Sequence, residues 1–298
     1  MTTLSSAITE YFEAKNAQRL SIHTLSDYGN TFRKFSAYVG DCRQIESIDP
    51  ATIARFLASS SGLSRKTTLN YHTALSSLWT YLVRVDQVKE NIVRKVEPPR
   101  PDQKQVIPFS REEIVTLLNV DESRPPIAVR NKAIILLLLD TGLRASELCS
   151  LKVKDINLAG RKLRTIGKGG KERQIPFHAS TRKSIEKYFK SRDVTSSRAT
   201  GRKPAFVTFS KQPVEIERRA LLQIIERIGL RANIPNCHPH RFRHTFAIQF
   251  LRNGGNIYTL QALLGHTSLD MVKRYLAISQ IDMDRDHEKA SPVKGWNL

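Results

Sequence analysis

The chain has 298 residues, of which 40% are hydrophobic and 26% are charged, a mixture typical of a folded globular protein. Lys and Arg outnumber Asp and Glu by 48 to 28, which gives a formal net charge of +20. This excess predicts binding to a polyanion, chiefly nucleic acid, through neutralisation of phosphates and release of counterions. Composition alone leaves open a binding protein of the ribosomal type that performs no chemistry.

Targeting and redox signals favour a cytoplasmic location. The three cysteines, Cys42, Cys149 and Cys237, are widely separated and form neither a CxxC pair nor a disulfide framework. The N-terminal residues lack the basic and then apolar pattern of a signal peptide. The longest apolar run, residues 133–139, is too short to span a bilayer and predicts a buried helix.

The first hundred residues have the periodicity of helices. An amphipathic stretch begins at Ser21, Asp49 and Pro50 are typical of a helix start, and residues 64–85 predict another long helix. We interpret the apolar stripes of these helices as core packing. Residues 96–108 are proline-rich, charged and non-periodic, which is typical of a stiff linker.

We therefore divide the chain into a helical domain at 1–97, a linker at 98–107 and a second domain at 108–298. Two domains joined in this way are suited to close around a ligand. The second domain begins with a capping box at Ser110–Glu113. Alternation of polar and apolar residues over 153–177, with glycine turns, predicts a small antiparallel sheet. Helices are expected at about 180–191, 215–229, 239–252, 256–264 and 268–278.

Two basic residues of the second domain are candidates for binding a phosphate. Arg144 opens a short helix, where free backbone N–H groups already favour an anion. The alternative is a surface arginine paired with Glu147. Lys168 lies on a glycine-rich turn from which a lysine can reach a groove and give up a proton. The segment does not match the phosphate-loop pattern. The alternative for Lys168 is a solvated basic turn.

Histidine and arginine are concentrated in residues 238–244. On a helix, His240, Arg243 and His244 share one face. A zinc site using Cys237 and the histidines is the alternative, but the spacing matches neither CxxC nor HExxH, and the arginines would oppose a cation. We favour an anion-binding face and expect neither a metal nor another cofactor.

Tyr275 lies nine residues after His266, near the end of the chain. A phenol with a pKa of about 10 is a poor nucleophile at neutral pH unless cations and proton acceptors surround its target. Taken separately, His266 is a neighbour of a glycine helix cap, and Tyr275 is a core residue between Val272 and Leu276.

Together these residues resemble the tyrosine recombinase family, which contains the lambda-type phage integrases and the Xer-type resolvases. The matching residues, in chain order, are Thr141-Gly142-Leu143-Arg144-x-x-Glu147-Leu148, Lys168, His238-Pro239-His240-x-x-Arg243-His244-Thr245, Leu264-Gly265-His266 and Tyr275. The resemblance covers residues 106 to 280, and its compact plan is nearer the Xer type. It implies a mainly α fold, with a helical, SAM-like core-binding domain followed by an α+β catalytic domain that contains the small sheet.

The resemblance also implies a mechanism. Tyr275 would attack the scissile phosphorus of DNA to leave a 3′-phosphotyrosyl link and a free 5′-hydroxyl, without metal or ATP. Arg144 and Arg243 would hold the non-bridging oxygens. Lys168 would protonate the leaving oxygen, His240 would help to accept the phenolic proton, and His266 would hydrogen-bond the phosphate.

The implied partners are double-stranded DNA with paired recognition sites and three further copies of this chain in a synaptic tetramer. The resemblance leaves open a second recombinase or an accessory DNA-bending protein, and it implies nucleoid association when DNA is bound. The family often has Thr where this chain has Val272, and Lys171 competes with Lys168 as the proton donor. The alternative functions are a non-catalytic, sequence-specific DNA-binding regulator and an enzyme of the type IB topoisomerase class.

Overall fold

The computed structural model describes residues 2–100, 107–120, 124–167, 170, 172–192, 202–209, 212–265, 272, 275, 287, 291 and 293. The chain divides into two compact units, Met1–Lys104 and Gln105–Leu298. None of the helices in the described segments is both long and apolar enough to cross a lipid bilayer. The domain boundaries at residues 97 and 108 stay a prediction.

The first unit is helical, and its second, third and fourth helices begin where the sequence predicts. They are α1 Leu4–Ala17, α2 Ile22–Val39, α3 Pro50–Ser59 and α4 Arg65–Arg84, with single 3-10 turns at Ile45–Ser47 and Ile92–Lys95. The side chains of Ser21, Asp49 and Ser64 each accept a backbone N–H of the first turn that follows. Such a cap satisfies a donor that the helix itself leaves without a partner.

Aromatic side chains form the core of the first unit. Tyr11, Phe32, Phe35 and Trp79 are each at most 1% exposed and pack edge to face. His72 lies on the same helix as Trp79, and its Nε2 atom is 3.1 Å from the carbonyl of Val93 and 2.9 Å from that of Val96. The predicted apolar stripes are therefore core packing, and α4 also holds the 3-10 turn at Ile92–Lys95.

The second unit packs seven helices and one small sheet in the described residues. The helices are α5 Arg111–Leu118, α6 Pro125–Thr141, α7 Ala145–Ser150, α8 Ala179–Ser191, α9 Arg218–Arg231, α10 Pro239–Arg252 and α11 Ile257–Leu264. The run of residues 133–139 in helix α6 is apolar on all sides, and its Ala133, Ile134 and Leu138 are fully buried, as the sequence predicts. It ends at Gly142, whose left-handed backbone (φ 61°) turns the chain towards α7.

The sheet lies between α7 and α8 in the sequence. Its strands are β1 Ile156–Asn157, β2 Lys162–Ile166 and β3 Glu172–Pro176, and both pairings are antiparallel. Leu163 pairs with Ile175, and both side chains face the core. The predicted small antiparallel sheet is confirmed.

The fold class is confirmed, with one helix start displaced. The predicted start at residue 215 is wrong, because α9 begins at Arg218. Residues 215 and 216 are extended instead: Glu215 bridges to Val207, and the N–H of Ile216 donates to the carbonyl of Phe206. The predicted helix at 268–278 lies outside the described residues except for Val272 and Tyr275, which are both helical.

Candidate active site

Arg144 precedes α7 and is held by a carboxylate of the same helix. Its backbone N–H donates to one oxygen of Glu147 at 2.8 Å, and its Nη1 donates to the other at 2.9 Å. The same Nη1 lies 3.4 Å from the carbonyl of Leu264, at the end of α11. The side chain remains 30% exposed. The pairing with Glu147 that the sequence left as an alternative is therefore present, and the guanidinium is still open to solvent.

Arg243 lies on α10 and is only 3% exposed. Its Nη1 donates to the carbonyl of Gly142 at 2.7 Å, and its Nη2 donates to that of Leu264 at 2.7 Å. Both helix-end carbonyls carry partial negative charge, which favours a cation there. Arg144 and Arg243 thus meet at Leu264, although they are 99 residues apart in the sequence.

Glu147 joins a third arginine to this pair. Arg173 of β3 places Nη1 at 3.0 Å and Nη2 at 2.8 Å from the two carboxylate oxygens, and its Nε donates to the carbonyl of Leu263 at 2.8 Å. The carboxylate is 5% exposed and accepts four hydrogen bonds from two arginines. Three guanidiniums and one carboxylate leave a net charge of +2 around the end of α11, which suits an anion.

Tyr275 is 6% exposed and packs in an apolar cluster with Val272, Leu260 and Leu264. Its hydroxyl is nevertheless at a polar position, because it lies 2.8 Å from Nδ1 of His244 on α10. The ring of His244 in turn lies 5.9 Å from that of His240, one turn earlier on the same helix. Tyr275 is therefore packed like a core residue, as the sequence alternative proposes, while its hydroxyl oxygen contacts an imidazole.

The site disfavours additional positive charge. Burial and the neighbouring charge of Arg144 lower the pKa of Arg243 to about 10, against smaller opposing effects of Glu147 and Tyr275. Burial, together with the charges of His240, His238 and Arg243, lowers the pKa of His244 to about 4. Burial would raise the pKa of Glu147, but its hydrogen bonds and the charges of its arginines lower it. At neutral pH the site therefore holds cationic arginines, a carboxylate and a neutral His244.

Four of the six predicted site residues lie in the described part of the chain, and the fold brings them to one place. Arg144 and Arg243 share the carbonyl of Leu264, both lower the pKa of His240 by their charge, and Tyr275 interacts electrostatically with Arg243. Lys168 and His266 lie outside the described residues, so their roles stay predictions.

A metal site was the alternative for the histidine cluster. Within the described ranges, no three His, Cys, Asp or Glu side chains are grouped as metal ligands. Burial raises the pKa of the Cys237 thiol to about 11, which disfavours the thiolate that binds metals.

The sequence motifs did not point to Arg173, and they placed His244 on the anion-binding helix face without a role of its own. Arg173 had a usable signal, because alternate residues of a strand face the same side and Arg173 is two positions before the buried Ile175. His244 also had one, since it follows His240 by four residues on the helix face assigned to anion binding. What the sequence could not supply is the contact between His244 and a tyrosine 31 residues away.

Comparison with known proteins finds matches in both units of the chain. Residues 109–280 match the model of the phage integrase family, and residues 8–86 match that of the phage integrase N-terminal SAM-like domain. The chain is 31% identical to the tyrosine recombinase XerC of Pelobacter propionicus, covering 92% of this chain and 91% of that protein. It is 27% identical to XerD of Halalkalibacterium halodurans, covering 95% of this chain and 96% of that protein.

Solved structures share the fold. The integrase of transposon Tn1549, in complex with a circular intermediate DNA, superposes with a TM-score of 0.78 at 18% identity and covers 97% of this chain and 99% of its own. A lambda integrase dimer bound to a core site gives 0.72 at 18% identity, with 91% and 97% covered. The predicted family is confirmed: the chain belongs to the phage integrase family and is a tyrosine recombinase.

Proposed function

We propose that this enzyme recombines DNA at specific sites by forming a 3′-phosphotyrosyl intermediate through Tyr275. The observation that carries the proposal is the position of the Tyr275 hydroxyl, which contacts His244 on the helix that also supplies Arg243. A phenol beside a neutral imidazole and cationic guanidiniums has what a phosphoryl transfer requires, namely a proton acceptor and charge stabilisation for the phosphate.

In this proposal Arg144 and Arg243 bind the two non-bridging oxygens of the scissile phosphate. Both donate to backbone carbonyls at the end of α11, and Arg144 keeps a solvent-exposed edge through which a phosphate can approach. Charge accumulates on these oxygens in the transition state, and removing one such donor commonly costs about 2.7–4 kcal/mol. Lys168 protonates the leaving 5′-oxygen, and His240 and His266 complete the contacts around the phosphate.

Recombination also needs a second DNA end and further protomers. We propose a tetramer of this chain that aligns two duplex sites and exchanges strands by repeating the attack in reverse. The similarity to XerC and XerD extends over more than 90% of each protein, which supports a compact recombinase acting on two short sites. Resolution of replicon dimers and integration of a mobile element both use such sites.

The test is a trapped covalent adduct. The protein first selects its site from a randomised duplex library, and a nicked suicide duplex is built on the selected sequence. Wild-type protein should form an adduct that survives SDS, and Tyr275→Phe should form none. The absence of an adduct with the selected DNA would overturn the covalent mechanism. Relaxation of supercoiled plasmid without that sequence would favour a type IB topoisomerase.

A plasmid carrying two copies of the selected site tests the recombination step. Direct repeats should give two smaller circles, and single-site plasmids should remain unchanged. A dependence on added host extract would identify a second recombinase or a DNA-bending protein as a partner. Adducts without any strand exchange, even in extract, would contradict recombination and leave only cleavage.

A further inference from the structure

His244 lies in a position to accept the proton that Tyr275 must lose to act as a nucleophile. Its Nδ1 lies 2.8 Å from the Tyr275 hydroxyl, a normal hydrogen-bond distance, and the two ring centroids are 5.6 Å apart. His244 is the residue after Arg243, so one rigid turn of α10 fixes both the imidazole and the buried guanidinium. The imidazole is thus positioned by the same helix that positions a phosphate ligand.

The surroundings of His244 keep it in the form that can accept a proton. Burial and nearby positive charges lower its pKa to about 4, so the ring is neutral at physiological pH. In the tautomer that carries hydrogen on Nε2, the Nδ1 lone pair is free to accept the phenolic hydrogen. Besides burial, the causes of this low pKa include the charges of His240 and Arg243. Both residues would contact the DNA phosphate in the proposed mechanism, and the phosphate charge would offset their effect.

We propose that His244 is the catalytic base that accepts the Tyr275 proton, in place of the role assigned to His240. The proposal rests on the function proposed above. In cleavage the Oη–H bond breaks and its proton moves to Nδ1, while the oxygen electron pair forms the bond to phosphorus. The bond from phosphorus to the 5′-oxygen breaks, and that oxygen takes a proton from Lys168. In rejoining, the 5′-hydroxyl returns its proton to Lys168 and His244 returns its proton to Tyr275.

Two other roles of this hydrogen bond give different results on mutation. If His244 only orients the phenol, an asparagine that accepts a hydrogen bond without taking a proton would preserve the rate. If His244 instead stores Tyr275 in an inactive position, its removal would release the hydroxyl and accelerate cleavage. If His244 is the base, both substitutions should slow cleavage. A more acidic phenol should then partly restore the rate, because it gives up its proton more readily.

The experiment measures single-turnover adduct formation on the selected suicide duplex, with Tyr275 or a ring-fluorinated tyrosine of lower pKa incorporated at that position. His244→Ala and His244→Asn should both slow adduct formation by about 100-fold or more with ordinary tyrosine. With fluorotyrosine, the deficit of each variant relative to wild type should shrink by at least about tenfold. Gel-shift affinity and melting curves confirm that each variant is folded and binds the duplex.

Several outcomes would overturn the base role. These are an adduct rate at or above wild type in His244→Ala, a wild-type rate in His244→Asn, or an unchanged deficit with fluorotyrosine. If His244→Ala fails to fold, the comparison of His244→Asn with its fluorotyrosine form decides the question alone. Failure of the wild-type protein itself to form any adduct is a separate result, since it rejects the covalent mechanism and with it this role.

Discussion

Arg173 and Glu147 form a bidentate ion pair that links β3 to α7 in the candidate active site. The carboxylate also holds Arg144, and Arg173 also holds the carbonyl of Leu263. Because both arginines bind the same carboxylate, Arg173 fixes the position of Glu147 and thereby that of Arg144. We therefore expect Arg173 to be a positioning residue that acts through Glu147 on Arg144, the proposed phosphate ligand.

Replacement of Arg173 by Ala should reduce adduct formation by roughly 10- to 100-fold, because a displacement of about 1 Å in a positioned group has effects of this size. Unfolding free energy should fall by about 1–3 kcal/mol, since hydrogen bonds to a buried charge are lost. The diagnostic measurement is a double-mutant cycle: in an Arg144→Ala background, Arg173→Ala should add little. Full additivity of the two effects would mean that Arg173 does not act through Arg144 and contributes only to the stability of the fold.

The matched control for Arg173 is an arginine in a more accessible ion pair. Arg182 donates to Glu186 at 2.9 Å across one turn of α8, where the two side chains are 43% and 30% exposed. Arg182→Ala should change the unfolding free energy by less than about 1 kcal/mol and leave adduct formation unchanged. A loss comparable to that of Arg173→Ala would indicate a general sensitivity to arginine removal.

The order of elements could be predicted from the sequence because local signals specify it. Ser110 and Glu113 form the predicted capping box, and Gly265 is the predicted glycine cap of α11, with a left-handed backbone. Local signals say less where tertiary contacts compete. The start of α9 was misplaced because residue 216 donates to the carbonyl of Phe206, a partner ten residues earlier that helical periodicity does not reveal.

The candidate site was predictable as a set of residues and not as a network of bonds. Arg144, Arg243 and Tyr275 were selected by motif, and they lie together. That Leu264 supplies the carbonyl on which the two arginines meet depends on how α10 and α11 pack. Such a contact has no sequence pattern, because a backbone carbonyl is common to every residue.

Lys168 is tested by changing the leaving group of the DNA. Lys168→Ala should stall cleavage of the normal suicide duplex, because the departing 5′-oxygen then has no proton donor. Replacing that oxygen by sulfur, which needs little protonation, should restore adduct formation in this variant. If the sulfur duplex gives no recovery, Lys168 is not the acid, and the same pair of substrates should be applied to Lys171→Ala.

Cleavage should not require a divalent metal ion, because the charge on the phosphate oxygens is met by Arg144 and Arg243. Adduct formation by Tyr275 should therefore proceed at an unchanged rate after dialysis against EDTA. The control is a metal-dependent nuclease in the same buffer, which must lose activity. Loss of adduct formation in EDTA that is restored by zinc or magnesium would contradict the proposed electrostatic role of the two arginines.

The pKa of His244 predicts how stability depends on pH. The value is about 6.5 in the unfolded chain and about 4 in the fold, so between these values the unfolded state binds more protons. The contribution of neutral His244 is complete above about pH 6.5 and is lost as the pH falls towards about 4. Relative to His244→Asn, the unfolding free energy of wild type should decrease over this window in urea titrations. A constant difference between the two proteins would mean that the ring is not desolvated.

Gly142 supports Arg243 and cannot carry a side chain without strain. Its φ is +61°, and an added Cβ would lie 2.5 Å from Cδ1 of Phe246 and 2.9 Å from Cδ2 of Leu264. Gly142→Ala should lower the unfolding free energy by about 2–4 kcal/mol, from left-handed strain and overpacking together. It should also slow adduct formation, because the carbonyl that orients Arg243 is displaced. Gly40→Ala, with φ +96° and open space around the added Cβ, introduces strain at a positive φ without overpacking and should leave cleavage intact. Equal losses of activity in the two variants would show that Gly142 does not act by positioning Arg243.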